Sequence, residues 1–147
     1  EAGSGGVRVV GSVGVRRCVL VGLRAGSGTG VQKPLVRWGV RSRRCMIPFT
    51  GFYEWDSQKR KYLFTLTGEG ALYMAGLYDR RGNKDCYCIL TTAPNESMRP
   101  VHDRMPLILT GDQKHRWLSD DTAAGEILTA RPPELVRASA EAQLSLW

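Results

Sequence analysis

At 147 residues, 42% of them hydrophobic, the chain is long enough for one domain with a core of its own. Its formal charge of +7 is uneven: nine basic residues and one acid precede residue 47, a net +8, and twelve basic against thirteen acidic follow, a net −1. Four cysteines without Cys-x-x-Cys or zinc-type Cys/His spacing, no apolar run near the ~20 residues of a membrane span, and no compact signal-peptide block argue against a metal site and a membrane protein; a cytoplasmic protein without metal or cofactor is expected.

Residues 1–30 hold nine glycines and few large apolar groups, so little in them is expected to pack, apart from a short strand at Cys18–Val21. This basic, Gly-rich segment is read as a flexible or degenerate arm suited to a polyanion. From Arg41 the texture changes. Cys45-Met46-Ile47-Pro48 runs into Phe49-Thr50-Gly51-Phe52-Tyr53-Glu54-Trp55, with Gly51 offering a turn or a close backbone approach.

Lys61–Thr67, Ala71–Tyr78 and Asp85–Thr92 are then predicted as strands separated by turns at Gly68-Glu69-Gly70 and Arg81-Gly82-Asn83, an antiparallel meander. Pro94, Pro100 and Pro106 break up residues 93–106 into an ordered loop. Leu107–Leu109 is a brief strand. Thr110 or Asp112 can cap a helix through about Leu118, and Asp120 or Asp121 a second through Leu128, with Pro132-Pro133 beyond. The remainder to Trp147 reads as a tail. The expected organisation is a Gly-rich segment 1–30, a domain 31–137 and a tail 138–147.

Glu54 lies inside an otherwise apolar and aromatic run. A carboxylate flanked by aromatics loses hydration, which favours its protonated form and suits it to carry protons near neutral pH; alternation leaves open an exposed Glu on an edge strand. His102 sits in the proline-bracketed loop Arg99-Pro100-Val101-His102-Asp103-Arg104-Met105-Pro106. An imidazole there can act as acid or base, or serve only as a surface hydrogen-bonding group, while Arg99 and Arg104 are natural phosphate ligands. Asn95, at the end of the third predicted strand, can tie a turn or contact substrate. Trp38 and Trp55 can stack on bases or fill core.

Together these segments carry more than any one alone. Arg43-Arg44-Cys45-Met46-Ile47-Pro48-Phe49-Thr50-Gly51-Phe52-Tyr53-Glu54-Trp55 resembles the pattern Arg-Cys-(Leu/Met)-Ile-Pro-x-x-Gly-(Phe/Tyr)-Tyr-Glu-Trp of the SOS response-associated peptidase, or abasic-site-processing, family. Thr91-Thr92-Ala93-Pro94-Asn95 followed by His102-Asp103-Arg104-Met105-Pro106 resembles its second block, Thr-x-x-Ala-Asn then His-x-Arg-Met-Pro. The resemblance runs from Lys33 to about Leu128. It implies a mixed α+β fold on a β-barrel-like antiparallel core with peripheral helices, and a basic groove for single-stranded DNA.

It also implies covalent chemistry. In the family a cysteine exposed as residue one attacks the abasic-site aldehyde through its amine and thiol, giving an imine and then a thiazolidine; the peptidase of the family name is needed only for self-processing that exposes the cysteine. By motif match Glu54 handles protons and His102 assists at the sugar oxygen, the catalytic pair. Arg24, Arg43, Arg44, Trp55, Asn95, Arg99 and Arg104 would bind DNA or support its pocket. The sequence starts Glu1-Ala2-Gly3-Ser4 without that cysteine, and an internal Cys18 has no free amine, so the alternative is an inert single-strand DNA-binding module of the same fold.

The tail holds one further resemblance. Gln143-Leu144-Ser145-Leu146-Trp147 is similar to the bacterial sliding-clamp-binding pentapeptide, with Leu144, Leu146 and Trp147 as apolar anchors and Gln143 at the pocket edge. The implied partners are single-stranded DNA with abasic sites and the replication clamp, in the cytoplasm at the nucleoid.

Overall fold

A computed structural model describes residues 8–10, 23–24, 39–68, 71–81 and 84–140. Besides helical residues 39–42, the described residues contain in order β1 (Arg8–Val10), β2 (Leu23–Arg24), β3 (Arg44–Phe49), β4 (Gly51–Trp55), β5 (Lys61–Thr65), β6 (Leu72–Arg81), β7 (Lys84–Thr92), β8 (Met105–Pro106), β9 (Ile108–Leu109), α1 (Gln113–Ser119), α2 (Asp121–Ile127) and β10 (Val136–Ser139). The fold is mixed α+β, as expected. Among the described residues the strands form two sheets rather than one closed barrel, ordered β1-β4-β5-β10 and β2-β7-β6-β3, with β8 beside β7 and β9 beside β6.

The three predicted strands are present as β5, β6 and β7, and β6 and β7 pair antiparallel from Gly76–Ile89 to Arg81–Lys84, but β5 lies in the other sheet between β4 and β10, so the three do not form the single meander expected. Two segments behave differently from expectation. Within the Gly-rich stretch, β1 pairs antiparallel with β4 and β2 pairs parallel with β7, because a strand of two or three residues draws its hydrogen bonds from a ladder already in place and needs no apolar run of its own. Within the expected tail, β10 pairs with β5, matching Ala138 to Leu63 and Ser139 to Tyr62. The strand expected at Cys18–Val21 lies outside the described residues.

Side chains alternate along β3, β6 and β7, so the larger sheet buries both faces. Ile47, Phe49, Met74 and Ile89 form one core cluster with Phe52 and Phe64 of the smaller sheet. Ala75, Leu77 and Leu90 form the other with Trp117 of α1 and Ala124 and Ile127 of α2. The result is three layers: small sheet, large sheet, helices. The Asp120 side chain accepts the Ala123 N–H and caps α2, whereas Asp112 ahead of α1 makes no side-chain cap; there Gln113 Oε1 accepts from the N–H and hydroxyl of Thr110.

Candidate functional site

Strand β4 carries the site's carboxyl. At Gly51 a Cβ would come within 2.9 Å of the Phe64 carbonyl oxygen, so the close approach of β4 to β5 requires glycine there. Beyond it, Phe52 turns inward and stacks on Phe64, ring centroids 5.2 Å apart. Two residues on, Glu54 shares that inward face opposite Tyr62 and is only 3% exposed. Tyr53 and Trp55 take the other face, where the Lys61 ammonium lies 4.1 Å from the Tyr53 ring centre and 5.6 Å from that of Trp55. The aromatic neighbours in sequence are therefore not what buries the carboxyl; the sheet and the loop packed on it are.

The loop after β7 carries the imidazole. The Asn95 carbonyl accepts the N–H groups of Met98 and Arg99, and the Met98 carbonyl those of Val101 and His102. Met98 and Val101 are buried and pin these turns to the core. His102 is thereby carried to Glu54, with Nε2 3.9 Å from Oε1. That gap exceeds a direct hydrogen bond, and catalytic contacts of this kind commonly tighten only around substrate.

At the other side of the ring, Nδ1 lies 3.2 Å from the Arg104 N–H donor, 3.3 Å from the Arg104 carbonyl oxygen and 3.3 Å from Asp103 Oδ1. The N–H suits a neutral ring with its proton on Nε2, aimed toward Glu54. The two oxygens suit a ring that also carries a proton on Nδ1. Both states of the imidazole thus have a partner in place.

Burial pushes the Glu54 carboxyl above its ordinary value of 4.5; nearby His102 and the Trp55 N–H, 3.3 Å from Oε1, pull it down, and the Asp103 charge pushes it up again. This has a stability consequence. The buried carboxyl costs nothing below about pH 4.5, where it is protonated folded and unfolded, and costs stability as pH rises through its higher folded-state value. Glu54→Gln is therefore expected to stabilise the fold at pH 8 and to do little at pH 4.5. Urea unfolding at the two pH values measures it, and an increment equal at both would contradict this origin.

The structure brings Glu54 and His102 together and redistributes the other expected residues. The Arg104 guanidinium turns back onto Thr91, donating to its carbonyl at 2.7 Å and to its hydroxyl at 3.3 Å, so it braces the end of β7 beside the site. Arg24 has its backbone paired to that same Thr91. Arg99 is exposed and ion-paired with Glu96, Arg43 is half-buried, and Trp55 is half-buried under Lys61.

Arg44 and Asn95 need correction as DNA contacts. The Arg44 side chain is 7% exposed; it donates to the carbonyls of Trp117 and Val40, pairs with Asp121 at 2.9 Å, and locks β3 to the helices. Asn95 is 2% exposed, donates to the carbonyls of Pro132 and Pro133 at 3.1 and 2.9 Å, and accepts from the Ser97 N–H and hydroxyl. Each has its polar atoms turned into the protein, so neither presents them to a polyanion. Asp103 and Thr91 are site residues that the sequence reading did not single out; the position of Asp103 next to His102 was its only signal. Gln143, Leu144, Leu146 and Trp147, together with Cys18 and Trp38, lie outside the described residues.

Comparison with known proteins gives this geometry a context. The model of the family described as SOS response associated peptidase matches residues 23–144. The chain is 36% identical over 115 residues to the abasic site processing protein YoaM of Bacillus subtilis, covering 72% of this chain and 51% of that protein. It is 31% identical over 120 residues to the abasic site processing protein HMCES of Xenopus tropicalis, covering 63% and 36%. A crystal structure of a Bordetella bronchiseptica protein superposes with a TM-score of 0.67 at 28% identity, covering 80% of this chain and 64% of that one. A Bacteroides thetaiotaomicron protein superposes with a TM-score of 0.66 at 26% identity, covering 74% and 54%. The chain spans about half the length of the Bacillus relatives it matches.

Proposed function

The chain belongs to the SOS response-associated peptidase family, and from that premise we propose that it processes abasic sites in single-stranded DNA, with Glu54 and His102 as the acid–base pair of a covalent reaction. The observation that carries the reading is the buried Glu54 carboxyl 3.9 Å from His102 Nε2. An abasic sugar rests mainly as a closed hemiacetal. Opening it removes the proton of the C1′ hydroxyl and delivers one to the ring oxygen, leaving an aldehyde. An imidazolium supplies the second proton from Nε2 and is left neutral, with its remaining N–H on Nδ1 facing the Arg104 carbonyl and Asp103, while the Glu54 carboxylate, whose protonated form burial favours, takes up the first and later returns it.

The aldehyde then accepts an amine, loses water to give the imine, and is captured by a thiol to close a thiazolidine. That sequence needs a thiol and an α-amine on one residue. Cys45 and Cys88, half-buried within strands, have their nitrogens in peptide bonds. A polypeptide beginning at Glu1 is therefore expected to form no heat-stable adduct with abasic single-stranded DNA, whereas a form with Cys as its free N-terminal residue is expected to form one. A denaturing gel reads the result: binding without any adduct from the cysteine form would leave the inert DNA-binding module as the function. The family description names a peptidase, which this reading confines to self-processing that exposes the cysteine.

The tail adds a partner to the proposal. A peptide spanning Ala138–Trp147 is expected to bind a bacterial sliding clamp with micromolar affinity, about −8 kcal/mol or weaker, because a short free segment loses entropy on docking. Titration without binding at ~100 μM, or binding unchanged by Ala at Leu146 and Trp147, removes the clamp as a partner.

A further inference from the structure

A groove of about 320 Å³ lies between residues 92–99, the first part of the loop that leads to His102, and the chain just after α2. Thr92, Asn95 and Pro132 contribute to its wall, and Arg99 and Arg131 stand on its two rims. Both arginine side chains are largely exposed, 60% and 69%. Among the described residues, Arg131 is ion-paired with Glu134 at 3.7 Å, longer than a hydrogen bond, and Arg99 donates to Glu96 and, at 3.4 Å, to the Pro94 carbonyl. Most of the ten guanidinium N–H groups are therefore available to a ligand. Glu96 also lines the groove, but an exposed ion pair between residues three apart contributes little and exchanges readily for a doubly negative or diester phosphate.

The walls behind the arginines are rigid. The Asn95 amide is tied to the carbonyls of Pro132 and Pro133, the Ser97 N–H donates to Glu134 at 2.9 Å, and the Leu135 N–H donates to the Ser97 hydroxyl at 3.0 Å. These bonds join the two sides of the groove to one another. They also fix Arg99 and Arg131 relative to the turns that carry His102, since the His102 N–H hangs from Met98 and the Met98 N–H from Asn95. Two guanidinium forks carried on a braced backbone, with no aromatic side chain among the lining residues for a base to stack on, fit the backbone of a nucleic acid rather than its bases.

We infer that the groove between Arg99 and Arg131 holds a phosphodiester of the single strand whose abasic sugar lies at Glu54 and His102, which makes Arg131 a DNA-binding residue. The inference rests on the proposed function for the identity of the ligand and adds a second anchoring point outside the reacting pocket. Phosphate contacts position without reading sequence. The groove therefore sets affinity and strand direction, not base preference.

Fluorescence anisotropy of the full chain with a labelled oligothymidylate, at salt from ~50 to ~200 mM, tests it through Arg99→Gln, Arg131→Gln and the double variant, with Arg116→Gln as a charge control. Exposed arginines at these positions can be changed at little cost to folding. The salt slope is expected to fall by about 0.7 for each phosphate that is no longer neutralised, with Arg116→Gln leaving it unchanged. A double variant with the parent's slope and affinity overturns the groove and leaves the proposed function standing. A parent chain that does not bind the oligonucleotide overturns both.

Discussion

Replacing Glu54 with Gln is expected to slow covalent capture of an abasic site by about 10²-fold or more near neutral pH, measured in single turnover on the form with an N-terminal cysteine. The amide matches the carboxyl in size and keeps an oxygen for the Trp55 N–H, so the local backbone should stand. What it cannot do is take up and return a proton. The same substitution removes a buried charge and is expected to stabilise the fold at pH 8, so the two readouts move in opposite directions. A merely structural Glu54 would lose stability and rate together. Single-strand affinity should change little, because the carboxyl is buried and carries no phosphate contact.

Trp117→Ala is expected to cost ~3–5 kcal/mol, a large share of the 5–15 kcal/mol that a domain of this kind typically holds. The indole is fully buried and its Nε1–H donates to the Cys45 carbonyl at 2.9 Å. The Trp117 carbonyl accepts from Arg44, whose guanidinium carbon lies 5.8 Å from the indole centre. Truncation would therefore open a cavity between the large sheet and the helices, strand a carbonyl of β3 without its partner, and loosen the arginine that joins β3 to Val40 and Asp121. β3 leads through Thr50 directly into β4 and Glu54, so the loss reaches the site. Thermal unfolding should fall by about 10 °C or more. A shift of a degree or two would mean that α1 is peripheral to the fold.

How much of this was legible in the sequence depends on the kind of interaction. The motifs around Glu54 and His102 marked the pair, although they are 48 positions apart and nothing in one dimension measures their distance. The strands β5, β6 and β7 were readable because their apolar alternation and Gly-containing turns are local signals. β1, β2 and β10 were not, since short strands are completed by hydrogen bonds to a ladder elsewhere in the chain. Arg44 and Asn95 show the same boundary at the level of side chains. An arginine in a basic run looks like a phosphate ligand until Trp117, Val40 and Asp121, far away in sequence or a turn back, are seen to use its donors. Asn95 likewise depends on carbonyls 37 and 38 residues later. Arg131 went unnoticed because its only distinction is spatial: it faces Arg99 across a groove.

The central claim is that Glu54 and His102 act as one acid–base unit on an abasic site. A double-mutant cycle on the rate of adduct formation tests it most directly, using Glu54→Gln, His102→Gln and the two combined in the form with an N-terminal cysteine. Groups that serve one proton-transfer step are strongly non-additive. The expected result is a double variant about as slow as the slower single variant. Rate losses that simply multiply would contradict the account, because they would place the carboxyl and the imidazole in independent roles despite the 3.9 Å between them.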